Sequence, residues 1–342
     1  PRLMRAFLLA AGFGQRFRPV TEAIPKPLMP FLNVALIRQH LARLRRQGIL
    51  EAGVNLHHLG EKIERELRDG APDLPKLEFF PEPRILGTAG ALRNAARWLS
   101  DGDFLLLNTD TVIEPDVPAL LARHRDGGRA ATLLVVENRN PDRYTPLQAE
   151  GDRITGFGGS GANPLLYTGV CVISPRILSR IPPGEAALVA DLWAPLLAAG
   201  REEIGWLLHR GPFQDLGRPS DFLRASLEAL DRGGPFPRGS GSFDPAARVL
   251  SFDPPRGFDA SRSVLGRAAI GKGARIADSV VWSGVEVGAG AEIRDCLAAG
   301  GKVPGGARHE GVLLWPGGDG LAAAHPLSRG DPKRRQGRSA RS

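Results

Sequence analysis

The sequence predicts an α/β chain in two parts, a domain with a mixed, mostly parallel sheet followed by a short parallel β-helix. Three observations carry this. Over residues 1–232, short apolar runs alternate with amphipathic stretches, as in a layered sheet covered by helices. The first apolar run ends in a glycine-rich turn, Ala11-Gly12-Phe13-Gly14, which gives the first domain a Rossmann-like start. From Ser263, Val264, Ile270 and Ile276 recur every six residues, and after one shorter step Val281, Val287 and Ile293 do so again. That period fits neither a helix nor an alternating strand, but suits short parallel strands wound into a β-helix; a glycine-rich pair of hairpins is the alternative.

The elements follow in order. Ala6–Ala10 reads as a buried strand. Val34–Gln47 reads as a helix, with Val34, Ile37, Leu41 and Leu44 on one face, arginines on the solvated face and Gly48 as the stop. Strand Gly53–Leu56, helix Gly60–Arg68, strand Leu77–Phe80, helix Ala89–Leu99 and strand Phe104–Asn108 come next. Pro219 opens a helix whose apolar face is Phe222, Leu223, Leu227 and Leu230, closed by Gly233. The expected organisation is an α/β domain at 1–232, a connector at 233–262, the β-helix at 263–315 and a disordered basic tail at 316–342. The connector is rich in proline and glycine yet holds Phe236, Phe243, Phe252 and Phe258, so it is expected to be packed.

Composition narrows the function. The 342 residues are 42% hydrophobic and 24% charged, with 43 glycines predicting many tight turns. The net charge of +8 would suggest nucleic acid or membrane as a partner, but residues 327–342 hold Arg329, Lys333, Arg334, Arg335, Arg338 and Arg341 against Asp331 alone. Neither partner is therefore expected. Cys171 and Cys296 form no metal-spaced cluster, and Cys171 reads as a small buried apolar residue. His57 and His58 read as loop or core residues. No apolar run suits export or membrane spanning, so a cytoplasmic protein is expected.

The densest chemistry is Leu9-Ala10-Ala11-Gly12-Phe13-Gly14-Gln15-Arg16 followed by Pro25-Lys26-Pro27. A glycine turn after a strand exposes backbone N–H groups to phosphate. A dinucleotide fingerprint would need glycine or alanine where Phe17 stands, and a P-loop would need Lys-Ser/Thr after its last glycine. What remains is a glycine loop backed by a fork-shaped cation, Arg16, and a point cation, Lys26, suited to a polyphosphate. Asp110 follows the strand Phe104–Asn108, where a carboxylate faces the ligand crevice. Alone, Asp110 or Asp215 could equally be a turn or cap aspartate.

These segments, with Leu86-Gly87-Thr88-Ala89-Gly90, Asn108-Thr109-Asp110, Tyr167-Thr168-Gly169 and Gln214-Asp215-Leu216-Gly217, resemble the nucleoside-diphosphate-sugar pyrophosphorylases, the sugar-1-phosphate nucleotidyltransferases, across residues 5–232. The six-residue repeat resembles the left-handed β-helix that trails many members. The resemblance implies in-line attack of a sugar 1-phosphate on the α-phosphorus of a nucleoside triphosphate, with pyrophosphate leaving; such a step needs positioning and charge neutralisation but no protein nucleophile. It implies Arg16, Lys26 and Asp110 as catalytic residues, with Arg16 on the pyrophosphate. It implies Leu9, Ala10, Ala11, Gly12, Gly14, Gln15, Gly87 and Thr88 around the nucleotide, Thr88 also serving as a helix cap. Tyr144, Thr145, Tyr167, Thr168 and Gly169 would line the sugar, and Asp110 and Asp215 would hold Mg2+.

The chain departs from the family pattern on the sugar side. No lysine lies between Gly151 and Tyr167, and Thr145 stands where many members have glycine. The Leu-Gly-Thr-Ala-Gly loop, the β-helix and Ser279-Val280-Val281-Trp282 favour members acting on GTP and mannose 1-phosphate. The alternative is uridylyl transfer to an N-acetylmuramate, hexosamine or glucose 1-phosphate, and a catalytically silent regulatory subunit is the alternative of another class. A short β-helix buries little surface by itself, so it is expected to pack on the catalytic domain or on a partner subunit, and a homo-oligomer is the expected state.

Overall fold

A computed structural model describes residues 4–68, 72–158, 165–200, 203–253 and 255–327. The chain divides into two compact units. The first is Pro1–Phe13, Pro25–Leu28 and Leu36–Asp215; the second is Gly14–Ile24, Met29–Ala35 and Leu216–Ser342. Residues 1–232 therefore do not form one block: two short N-terminal segments and the helix Pro219–Asp231 group with the C-terminal region.

The first unit is built on a nine-stranded sheet in the order Lys76–Pro81, Glu51–Leu56, Arg5–Leu9, Phe104–Asn108, Leu165–Ile173, Ala131–Glu137, Ile204–Leu208, Arg153–Phe157, Leu147–Glu150. The first four strands are parallel. Leu165–Ile173 runs antiparallel to both its neighbours, and among the remaining pairings only Ala131–Glu137 with Ile204–Leu208 is parallel. The sheet is mixed, as expected, and every strand except Leu165–Ile173 and Arg153–Phe157 points the same way. The side-chain pattern of these two looks the same in either direction. Alternation along Arg5–Leu9 sends Phe7 into the core on one face and Ala6 and Leu8 into the core on the other.

The helices match their sequence signals closely. Leu36–Arg46 buries Ile37, Leu41 and Leu44 and ends before Gly48 at φ +88°. Arg43 of this helix is half-buried and held beside Gln39, unlike its exposed neighbours. The expected helix at 89–99 is two pieces, Gly87–Asn94 and Ala96–Leu99, broken at Ala95. Helix Val117–Gly127 is capped by the Asp116 carboxylate, which accepts from the Ala119 N–H at 3.0 Å.

In the second unit the chain winds through three parallel sheets in turn. One contains Val249–Ser251, Ser263–Leu265, Val280–Val281, Leu297–Ala298 and Val312–Pro316; the second Asp259–Ser261, Arg275–Ala277, Glu292–Arg294 and Arg308–Glu310; the third Ala269–Ile270, Glu286–Val287 and Lys302–Val303. Val264 pairs with Val280, and Val280 with Leu297, so a circuit takes 16 or 17 residues. The hairpin alternative is excluded, because these pairings are parallel. Two boundaries shift. The winding begins inside the expected connector, at Val249–Ser251, and Ala322–Pro326, expected in the tail, is an antiparallel strand that closes it. The basic stretch at 328–342 lies outside the described residues. Phe236 and Phe243 of the connector pack together at 4.7 Å.

Candidate active site

The glycine loop leaves the sheet at Leu9. Its base is pinned by hydrogen bonds: Thr109 donates through Oγ1 to the Leu9 carbonyl at 2.7 Å, and the Ala10 N–H donates to Asn55 Oδ1 at 2.7 Å. Ala10, expected at the nucleotide, therefore spends its N–H on Asn55. The N–H groups of Ala11, Gly12 and Phe13 meet no acceptor among the described residues, which leaves them available to anionic oxygens. A Cβ at Gly12 would have nothing within 4 Å, so the loop is open there.

Asn55 continues into a relay that the sequence did not signal. Its Nδ2 donates to Glu82 Oε1 at 2.8 Å, and Glu82 Oε2 accepts from the Leu86 N–H at 2.9 Å. Both side chains are buried. The relay ties the glycine loop to the segment before Gly87 through directional bonds. The only sequence signal is a polar residue inside an otherwise apolar strand, Glu51–Leu56.

Lys26 and Asp110 lie together, Lys26 Nζ 2.7 Å from Asp110 Oδ2, with the lysine side chain only 10% exposed. Asp215 enters through a two-stranded ribbon in which it pairs with Thr111. That register brings the second aspartate beside the residue that follows Asp110, although 105 positions separate the two in sequence. Asp215 Oδ2 accepts from the Tyr144 hydroxyl at 3.2 Å and lies 3.4 Å from the Arg143 guanidinium, which stacks over the Tyr144 ring at 4.9 Å. The Tyr144 hydroxyl thus reaches Asp215, a contact the sequence did not signal, and Arg143 is a cation that sequence reading missed. His40 is buried near the backbone of Thr109 and Thr111; burial, with Arg43 nearby, keeps its imidazole neutral, the pKa lowered to about 3.

The two carboxylates suit Mg2+, which takes one or two protein carboxylates and completes its shell with phosphate oxygens and water. Among the described residues no group of three or more His, Cys, Asp or Glu side chains is placed to hold a metal ion.

Other expected contacts are committed elsewhere. The Thr88 hydroxyl accepts from the Leu188 N–H at 2.7 Å, and the Ala89 and Gly90 N–H groups donate to the Ala186 carbonyl. Gly87, at φ +71°, is glycine because a Cβ would sit 2.5 Å from that carbonyl. The Gly87-Thr88 loop is therefore clamped to residues 184–188, and Thr88 is not the cap of its helix, whose N-cap is Leu86. The Tyr167 hydroxyl donates to Cys171 Sγ at 3.3 Å while its ring packs edge-on against Trp193. Burial raises both groups, Cys171 to about 12. Thr168 is buried, its hydroxyl donating to the Leu134 carbonyl. Gly169, at φ +83°, lets Asn108 approach: a Cβ would lie 2.5 Å from Asn108 Nδ2. Thr145 is exposed. Tyr167 and Thr168 therefore support the wall behind the site with their polar groups already satisfied.

Gly14, Gln15 and Arg16 belong to the second unit. Gly14 takes a left-handed conformation at φ 60°, and Gln15–Phe17 forms a 3-10 turn with Gln15 and Arg16 exposed.

The family model described as nucleotidyl transferase matches residues 5–232. The chain is 29% identical over 299 residues to a mannose-1-phosphate guanylyltransferase of Mycobacterium tuberculosis, covering 84% of this chain and 82% of that protein. It is 33% identical over 220 residues to an N-acetylmuramate alpha-1-phosphate uridylyltransferase of Neisseria meningitidis, covering 63% of this chain and 93% of that one. The fold resembles that of HddC from Yersinia pseudotuberculosis, with a TM-score of 0.58 at 23% identity over 66% of this chain and 99% of that chain. The chain belongs to the nucleotidyl transferase family of enzymes.

Proposed function

We propose that the protein joins a nucleoside triphosphate to a sugar 1-phosphate, giving a nucleoside-diphosphate sugar and pyrophosphate, with GTP and mannose 1-phosphate as the pair. The observation that carries the reading is the ribbon register between Asp215 and Thr111, with the Lys26–Asp110 pair beside it. A phosphate oxygen of the sugar 1-phosphate attacks the α-phosphorus in line, and the bond from that phosphorus to the bridging oxygen of the β-phosphate breaks. Lys26 holds the α-phosphate oxygens as charge shifts, and Arg16 takes the leaving pyrophosphate in its guanidinium fork. The N–H groups of Ala11 to Phe13 orient the triphosphate. Arg143 offers the sugar phosphate a cation on the side where the sequence carries no lysine. Asp110 and Asp215 would hold Mg2+, which neutralises the phosphate charge.

The guanylyl reading is supported by the relative from M. tuberculosis, whose similarity extends over 84% of the chain. A second reading, uridylyl transfer, is supported by the higher identity to the N. meningitidis protein over its near-full length. A left-handed sense for the winding and a homo-oligomeric state belong to the same proposal. So does a cytoplasmic location; no helix among the described residues is long and apolar enough to cross a membrane. The test is pyrophosphate release from the full chain with each nucleoside triphosphate, Mg2+ and a panel of sugar 1-phosphates. Release with GTP and mannose 1-phosphate supports the reading, release with UTP alone selects the second, and no release with any pair overturns both in favour of a silent subunit.

A further inference from the structure

We propose that Trp282, a residue of the C-terminal winding, is a positioning residue for Arg16, so that the winding sets the grip on the leaving pyrophosphate. The inference rests on the role given to Arg16 above. Arg16 and the winding lie in the same compact unit, and that unit holds the arginine at two points. The first is its backbone. Phe17, the next residue, is fully buried, and its ring meets Phe222 edge to face at 6.0 Å. The turn is closed by the Phe17 N–H donating to the Gly14 carbonyl at 2.9 Å, which also accepts from Thr21 Oγ1 at 3.0 Å. The second point is its head: a Cβ at Gly217 would lie 2.8 Å from both terminal nitrogens of the Arg16 guanidinium. The glycine lets the guanidinium lie flat against the backbone.

Both points lead to one element. Gly217 stands two residues before helix Pro219–Asp231, and Phe222 is on that helix. Phe222 in turn meets Trp282 edge to face at 5.7 Å. Trp282 is fixed by its coil, its N–H donating to the Ala298 carbonyl at 2.8 Å, and its side chain is buried. The indole N–H has no acceptor among the described residues, so ring packing alone defines its place. Removing the indole takes one of the three rings around Phe222 away, leaving Phe17 and Phe31 on its other sides, and the helix start beside Gly217 shifts toward the space. An exposed arginine carries large rotamer entropy, and small displacements of positioning groups are costly to catalysis.

The test uses the full chain in the reverse direction, with pyrophosphate and GDP-mannose, or the product of whichever pair the forward assay selects. Trp282→Ala is expected to raise the KM for pyrophosphate about 10-fold while the KM for the sugar nucleotide changes less than about 2-fold. Trp282→Phe should restore the wild-type value. Val303→Ala, buried in the same winding but away from the ring column, should lower Tm and leave both KM values alone. Gly217→Ala, which displaces the guanidinium directly, should reproduce the pyrophosphate effect even if Trp282→Ala does not fold. Direct calorimetric titration with pyrophosphate should show the same ranking without turnover. The proposal is overturned if Trp282→Ala lowers Tm as Val303→Ala does with the pyrophosphate KM unchanged, if all KM values rise together, or if Gly217→Ala has no effect. A wild-type chain that turns over no substrate pair defeats the proposed function instead.

Discussion

The sheet unit and the winding unit hold their functional side chains by different means. In the sheet unit the fixing contacts are directional: the Asn55–Glu82 relay, the Lys26–Asp110 pair and the Tyr144 and Arg143 contacts to Asp215. In the winding unit they are matters of shape. Rings stack edge to face, and glycines admit neighbouring backbone: a Cβ at Gly288 would lie 2.4 Å from the Gly305 nitrogen, and one at Gly271 2.4 Å from the Ala289 nitrogen. The two units should therefore fail differently, one when polarity changes at constant volume and the other when volume changes at constant polarity.

Asp110→Asn keeps shape and removes charge, and turnover is expected to fall by about 1,000-fold with Tm little changed; near-normal turnover would break the comparison on the sheet side. Gly288→Val is the reverse case. It should destabilise the protein by about 1–3 kcal/mol or more through overpacking, read as a fall in Tm, whereas Gly12→Ala, with open space around it, should leave Tm in place. Arg143→Gln should raise the KM for the sugar 1-phosphate about 10-fold and spare that of the nucleoside triphosphate. The smallest effect concerns Asp231, whose carboxylate is held below its ordinary value of 3.8 chiefly by its hydrogen bond from Arg262. A lowered folded value means stability that is present above pH 3.8 and lost as pH falls below it. In acid titrations followed by urea unfolding, Asp231→Asn should flatten that limb, and an unchanged limb would refute the assignment.

The difference also explains what was legible in the sequence. Lys26, Asp110 and the glycine loop announce themselves because lysine is scarce in this chain and the glycines and the carboxylate stand directly after apolar strands. The six-residue period announced the winding because one inward side chain per strand repeats, with a single shorter step at Ile276 to Val281. The two reversed strands, Leu165–Ile173 and Arg153–Phe157, left no such mark, since the side-chain pattern of a strand reads the same whichever way it runs. Asn55 and Glu82 were missed because each lies alone in its segment and gains meaning only when the strands come together. The cap expected of Thr88 was misread, because its hydroxyl serves the Leu188 N–H and the glycine before it allows close approach to Ala186. Arg16 was read from its loop, but nothing near it in sequence announces that it belongs with residues 216 onward.

The hairpin of Pro30–Phe31 and Val34–Ala35 is stitched to the C-terminal region by Asn33, whose Nδ2 donates to the carbonyls of Ser240 and Leu265 at 3.0 Å each. Those partners lie 207 and 232 positions downstream. At a synthesis rate of about 5–20 residues per second, the hairpin and the Arg16 turn leave the ribosome roughly 10–40 s before the chain that shelters Phe17 and Phe31 exists. The second unit is thus closed by its last-made part onto its first-made part. A nascent chain arrested before Phe222 would leave Phe17 and Phe31 without the ring they pack against, so the order of synthesis delays the packing of the Arg16 turn until that helix has been made.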